Sequence, residues 1–129
     1  MEFSIQLSSY YPDKTYGGDR VYADMLDQAR LADRLGYDAV SITEHHLVNC
    51  LMMPAPLQFA VKIAAETRRV KIMTSVVVLP LHDMRVYAGE VVVADISQPD
   101  QGLPDALLNR CDVLVWWGHK RHRQVKDAL

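Results

Sequence analysis

The stretch Val70-Lys71-Ile72-Met73-Thr74-Ser75-Val76-Val77-Val78-Leu79-Pro80 decides the fold. Its β-branched residues Val70, Ile72, Val76, Val77 and Val78 favour a pleated backbone, and Pro80 stops the ladder, so a strand over 70–79 is predicted. Upstream, the segment 57–67 places Phe59, Ile63 and Ala64 on one helical face and ends at the basic pair Arg68-Arg69. Before that helix, Tyr37–Thr43 carries Ala39, Val40 and Ile42 in a short apolar run, as suits a strand buried on both faces of a parallel sheet. Further back, Val21, Met25, Ala29, Ala32 and Leu35 recur at three- and four-residue spacing, with Asp24, Asp27, Arg30 and Arg34 opposite. This is an amphipathic helix, entered at Asp19 as N-cap and stopped at Gly36. Phe3, Ile5 and Leu7 alternate with polar neighbours as a first strand, and the exit loop 8–19 contains Pro12, Gly17 and Gly18.

The order strand–helix–strand–helix–strand forces right-handed βαβ units and the α/β class. Two architectures accommodate it: a partial (β/α) barrel, or a compact flavodoxin-like three-layer sandwich. Downstream, Asp83 is placed to cap a helix over 84–95, which competes with the strand propensity of Val91-Val92-Val93. Turn residues follow over 97–104, then a short helix over 105–109 and a strand Val113–Trp117 ending at Gly118. The tail Lys120–Leu129 has the composition of a basic helix. A sheet of four or five strands cut this way exposes two edges, so pairing into a homodimer is a further expectation.

A chain of 129 residues is long enough for one domain with a real core. Half of its residues are hydrophobic and 23% charged, which excludes disorder and repeat fibres, and a net charge of −2 gives no general attraction to nucleic acid or anionic membrane. No apolar stretch reaches the roughly 18–20 residues of a membrane helix, and the first residues lack a basic or apolar leader. Cys50 and Cys111 are too few for a disulfide scaffold and read as two buried thiols. A cytoplasmic location is the expectation.

Ligands of parallel α/β folds sit at the carboxyl ends of the strands, so candidate chemistry is sought only there. Glu44-His45-His46 closes the second strand, and an imidazole there can act as general base or hydrogen-bond donor near neutral pH. Neighbouring strand residues point to opposite faces, so His45 and His46 cannot share a ligand without a bend. After the third strand comes His82-Asp83, where Asp83 already has structural work as an N-cap. His119 and His122 share one helical face, but Lys120, Arg121, Arg123 and Lys126 around them disfavour a cation. No dinucleotide fingerprint, phosphate loop, nucleophile elbow or zinc pattern occurs.

Residues 1–95 resemble the amino-terminal third of the bacterial luciferase-like flavin monooxygenases, which are (β/α)8 barrels. The resemblance rests on Phe3-Ser4-Ile5, on Ala29-Arg30-Leu31-Ala32-Asp33-Arg34-Leu35-Gly36-Tyr37-Asp38, on Glu44-His45-His46 and on Thr74-Ser75-Val76-Val77-Val78-Leu79-Pro80-Leu81-His82-Asp83. It implies FMN as cofactor, with Glu44 and His45 catalytic and His45 the acid/base group. It also implies that His46, Ser75 and Val76 bind the cofactor, the last two against the isoalloxazine ring at a non-proline cis peptide. Residues 96–129 depart from that pattern. Gln98-Pro99-Asp100-Gln101-Gly102-Leu103 and Asp112-Val113-Leu114-Val115-Trp116-Trp117-Gly118-His119 resemble the ThuA-like trehalose-utilization family instead. The chain therefore looks like a luciferase-like segment, 1–95, joined to a ThuA-like segment, 96–129, in one domain. The function expected is that of a truncated flavin-dependent monooxygenase, inactive or weakly flavin-binding. The alternatives are a recombinant α/β chimera without activity of its own, or a ThuA-like sugar-associated module.

Overall fold

The computed structural model describes residues 1–96, 111–115 and 123–124. In chain order these form β1 (Ser4–Gln6), α1 (Gly18–Leu35), β2 (Ala39–Ile42), α2 (Pro56–Glu66), β3 (Lys71–Val77), a 3₁₀ turn (Leu79–Leu81), α3 (Met84–Ile96), β4 (Cys111–Val115) and β5 (Arg123–Gln124). The strands lie in the order β1-β2-β3-β4-β5, with the first three pairings parallel and the last antiparallel.

This order distinguishes the two expected architectures. Parallel strands laid down successively, joined by right-handed crossovers, place every helix on the same face, which is barrel geometry. A flavodoxin-like sandwich reverses its strand order and covers both faces. Here Ile5, Leu7, Val40, Ile42 and Ile72 share one core with Met25, Leu26, Ala29 and Ala32 of α1 and Phe59, Ala60, Ile63 and Ala64 of α2. The sheet is thus a segment of barrel wall with its helices outside. By the two-residue period of a strand, Gln6, Ser41 and Met73 face the other way, and the register aligns them in a row across β1, β2 and β3.

Several local expectations hold. Helix α1 stops at Gly36, whose φ of 82° is the left-handed conformation that glycine adopts without a steric penalty. Asp83 caps α3, its carboxylate accepting the Arg85 N–H at 3.0 Å. The segment with Val91 is helical, so capping and helical packing override its strand propensity.

Others are corrected. Asp19 is not the N-cap of α1; it lies in the first turn, and the cap is Gly17 with φ 93°. Leu35 is 67% exposed, because the last turn of α1 runs past the edge of the core. Cys50 is a half-buried free thiol in the β2–α2 loop and is not part of the core. Residues 123 and 124, expected in a helix, pair with Val115 and Leu114 of β4, whose edge offers unpaired backbone groups. The predicted helix 105–109, both tryptophans, His119 and His122 lie outside the described residues. Among the described residues, no helix is long and apolar enough to cross a membrane.

The loops leaving β1 and β2 are tied to one another. Tyr10 bridges Leu51 in antiparallel fashion, the Tyr11 N–H donates to Cys50 O at 2.6 Å, and the Met52 N–H donates to Ser9 O at 3.0 Å. Met52 then packs so close to α1 that a Cβ on Gly18 would sit 2.7 Å from its Cε. A side chain on Gly18 would have to push the tip of Met52 aside. The two loops form a short clasp over the carboxyl ends of the first strands.

Candidate active site

Glu44 is the pivot of that end of the sheet. It lies two residues past the end of β2, and its backbone N–H donates to Val76 O at 3.1 Å, which carries the β2–β3 pairing beyond the strand. Its side chain is wholly buried, yet both carboxylate oxygens are engaged. Oε2 accepts the Val78 N–H at 2.7 Å. Oε1 meets Nε2 of His46 and, at 2.8 Å, Nε2 of His82. Burial pushes the Glu44 carboxyl up, but the bonds from His46, the Val78 amide and His82 outweigh it and hold the group below the usual glutamate range.

His82 reaches this carboxylate because of the turn after β3. The strand ends at Val77, short of the expected Leu79, the turn Leu79–Leu81 containing Pro80 closes with the Leu81 N–H on Val78 O and the His82 N–H on Leu79 O, and the imidazole swings back over Glu44. Its ring stands 4.9 Å from that of Tyr87 on α3, at 47°. Sequence spacing weighed His82 only as a weak candidate. Its partner lies 38 residues away, and the strand-end position was the sole signal that could have found it.

The expected site residues divide into two groups. Glu44, His46 and Val76 are brought into one network, which Val78, not among the expected residues, joins through its backbone N–H. His45 is not part of it. Its backbone N–H donates to Met53 O at 2.8 Å, but its half-buried ring has no partner among the described residues. The bend that separates the two histidines ends in Leu47, a non-glycine residue with φ 54°. Ser75 and Val76 are half-buried and joined by a cis peptide, the non-proline bond anticipated there. At the same place the β3–β4 register shifts between Ser75 and Val77.

A family model described as luciferase-like monooxygenase matches residues 1–98, about three quarters of the chain. The chain belongs to this family. Among curated relatives it is 32% identical over 77 residues to the oxygenase component of a flavin-dependent trigonelline monooxygenase of Acinetobacter baylyi, covering 60% of this chain and 21% of that protein. Among solved structures it resembles the monooxygenase RslO1 from Streptomyces bottropensis, with a TM-score of 0.76 and 27% identity over 89% of this chain and 32% of that one. The oxygenating constituent of 3,6-diketocamphane monooxygenase of Pseudomonas putida, solved with FMN, shares the fold at a TM-score of 0.76 and 18% identity, over 93% of this chain and 30% of that one. The chain thus spans roughly a fifth to a third of the length of these proteins.

Proposed function

We propose that this chain supplies one wall of a flavin-dependent monooxygenase site, with FMN lying across the carboxyl ends of β2 and β3. The observation that carries the reading is the division of labour within Glu44-His45-His46: Glu44 and His46 are locked into the protein, while the His45 ring is left without a protein partner among the described residues. The donor set fits a planar, polar heterocycle. Ser75 offers a half-buried hydroxyl, the Ser75–Val76 peptide lies beside it, and the row Gln6, Ser41 and Met73 lines the adjoining face.

In this reading Ser75 and Val76 hold the ring, and His46 borders it. His45 acts as the acid/base group, giving a proton to the bound substrate or taking one from it at one of its own ring nitrogens. Toward the flavin Glu44 is a positioning residue, since both of its oxygens are bonded and its side chain has no exposed surface. A bound flavin supplies the redox chemistry and the reaction with dioxygen. By itself the 129-residue chain binds flavin weakly, because stacking and a few side-chain contacts are the contributions these residues make.

The test is a titration of the chain with FMN and with riboflavin, followed by flavin fluorescence. Saturable quenching at submillimolar concentration, similar for the two ligands and weakened by Ser75→Ala, is expected. No binding of either up to about 1 mM, a free energy of roughly 4 kcal/mol or less, overturns the proposal. A second reading, a chimera with a ThuA-like segment, is motivated by the family match ending at residue 98 while Trp116-Trp117-Gly118-His119 lies beyond it.

A further inference from the structure

We propose that Glu44, His46 and His82 form a binding site for a divalent transition-metal ion of the zinc class, held by Oε1 of the carboxylate and Nε2 of each imidazole. The three side chains come from two separate strand exits, yet their donor atoms all lie within 4.8 Å of one another. Nε2 of His82 is 2.8 Å from Oε1, and Nε2 of His46 touches the same oxygen. Donors that share one tetrahedral ion at about 2.0–2.1 Å stand about 3.3 Å apart, so small outward movements of the two rings admit the ion.

Charge and donor type agree with this choice. Two neutral imidazoles and one carboxylate suit zinc and its first-row neighbours better than magnesium or calcium, which take all-oxygen shells. Among the described residues, no lysine or arginine pairs with Glu44, so no fixed positive charge competes with a cation for its carboxylate. His119 and His122, by contrast, lie among Lys120, Arg121, Arg123 and Lys126 in the sequence.

The surroundings hold the ligands as a metal site requires. Oε2 of Glu44 is fixed by the Val78 N–H at 2.7 Å, which leaves Oε1 as the oxygen turned toward the histidines. The His82 ring is steadied by Tyr87. Exposure also favours entry of an ion: the Glu44 side chain is 0% exposed, but those of His46 and His82 are 32% and 21% exposed. An ion therefore enters from the imidazole side, and three protein donors leave a position for water or another ligand, as in open zinc sites. Once bound, it joins the β2 exit to the β3–α3 turn.

The full chain, stripped of metal with a chelator, is titrated with Zn²⁺ by calorimetry and with Co²⁺ by visible absorption. One ion per chain in the micromolar range, with cobalt bands of low-symmetry coordination, is expected. His82→Ala and His46→Ala should each weaken binding at least about tenfold, with folding of each variant checked by circular dichroism. The double variant His119→Ala/His122→Ala should bind as the parent does. Absence of saturable binding up to about 1 mM overturns the proposal. So does full binding by folded His82→Ala, or loss of binding in the double variant, because either result puts the ion elsewhere. Should His82→Ala not fold, His82→Gln takes its place under the same criterion.

Discussion

Two carboxylates, at opposite ends of the same strands, draw separate parts of the chain together by different means. At the amino-terminal end, Asp33 on α1 accepts the backbone N–H groups of Arg68, Arg69 and Val70 at 3.2, 2.7 and 2.8 Å and so fixes the turn from α2 into β3. At the carboxyl end, Glu44 accepts one backbone N–H and two imidazoles. Main-chain amides always donate, so Asp33 has a structural role and nothing to exchange. Imidazoles can donate, accept or bind a metal, so the Glu44 network can respond to what binds there. The barrel wall thus separates stability at one end from chemistry at the other, as parallel α/β folds do.

The strongest way to break this comparison is Glu44→Ala. It leaves the Val78 N–H without its acceptor, releases both imidazoles and opens a cavity at a buried position, for an expected loss of about 3 kcal/mol in denaturant unfolding. Asp33→Ala removes the acceptor of three amides at a half-exposed position, where water replaces part of what is lost, and should cost about 2 kcal/mol. An Asp33→Ala cost exceeding that of Glu44→Ala would reverse the ranking and show that the turn matters more than the buried cluster.

Acid sharpens the same contrast. Burial raises the Asp33 carboxyl, but the amides of Val70, Arg69 and Arg68 and the Arg69 charge outweigh it and hold the group below the ordinary aspartate range. A carboxyl whose folded value is depressed binds its proton more readily when unfolded. Its stabilisation is therefore complete above the unfolded value, near 3.8, and fades as pH falls through the lower folded value. Asp33→Asn keeps an oxygen acceptor but cannot titrate. Its destabilisation relative to the parent should be largest at neutral pH and shrink below about pH 4. A difference that stays constant down to pH 2 would mean that the charge of Asp33 is irrelevant.

Gly36→Ala asks how much of the turn below α1 depends on backbone conformation alone. A Cβ at Gly36 meets nothing within 4 Å, so the φ of 82° is the sole objection to a side chain. A loss of about 1 kcal/mol is expected, and none at all would mean the C-cap relaxes freely.

Whatever depends on local periodicity was legible in the sequence. The β-branched run of β3, the three- and four-residue spacing of α1 and the stop at Gly36 each follow from steric preferences within a few residues. The helix start was misread because Asp19 has the right chemistry two residues too late, whereas Gly17 adopts a conformation that composition alone does not reveal. Contacts between distant residues were less accessible. Asp33 stood in a recognised motif without a role, and nothing in its spacing discloses amides 35 to 37 residues away. His82 was visible as a strand-end histidine, but its convergence with His46 on one oxygen requires the bulge, the turn at Pro80 and the parallel register together.

The smallest expected effect is also the one that bears most on function. His45 stands between two residues bound into the network, and its own ring has no partner among the described residues. A residue kept for packing would repay its removal with lost stability. His45→Ala should instead change unfolding by no more than about 0.5 kcal/mol, as surface positions do, while weakening flavin quenching. A loss above about 2 kcal/mol would mark His45 as a core histidine and place it with Asp33 on the structural side. A neutral substitution leaves it the one member of Glu44-His45-His46 whose side chain no other described residue holds, because its two neighbours already hold each other.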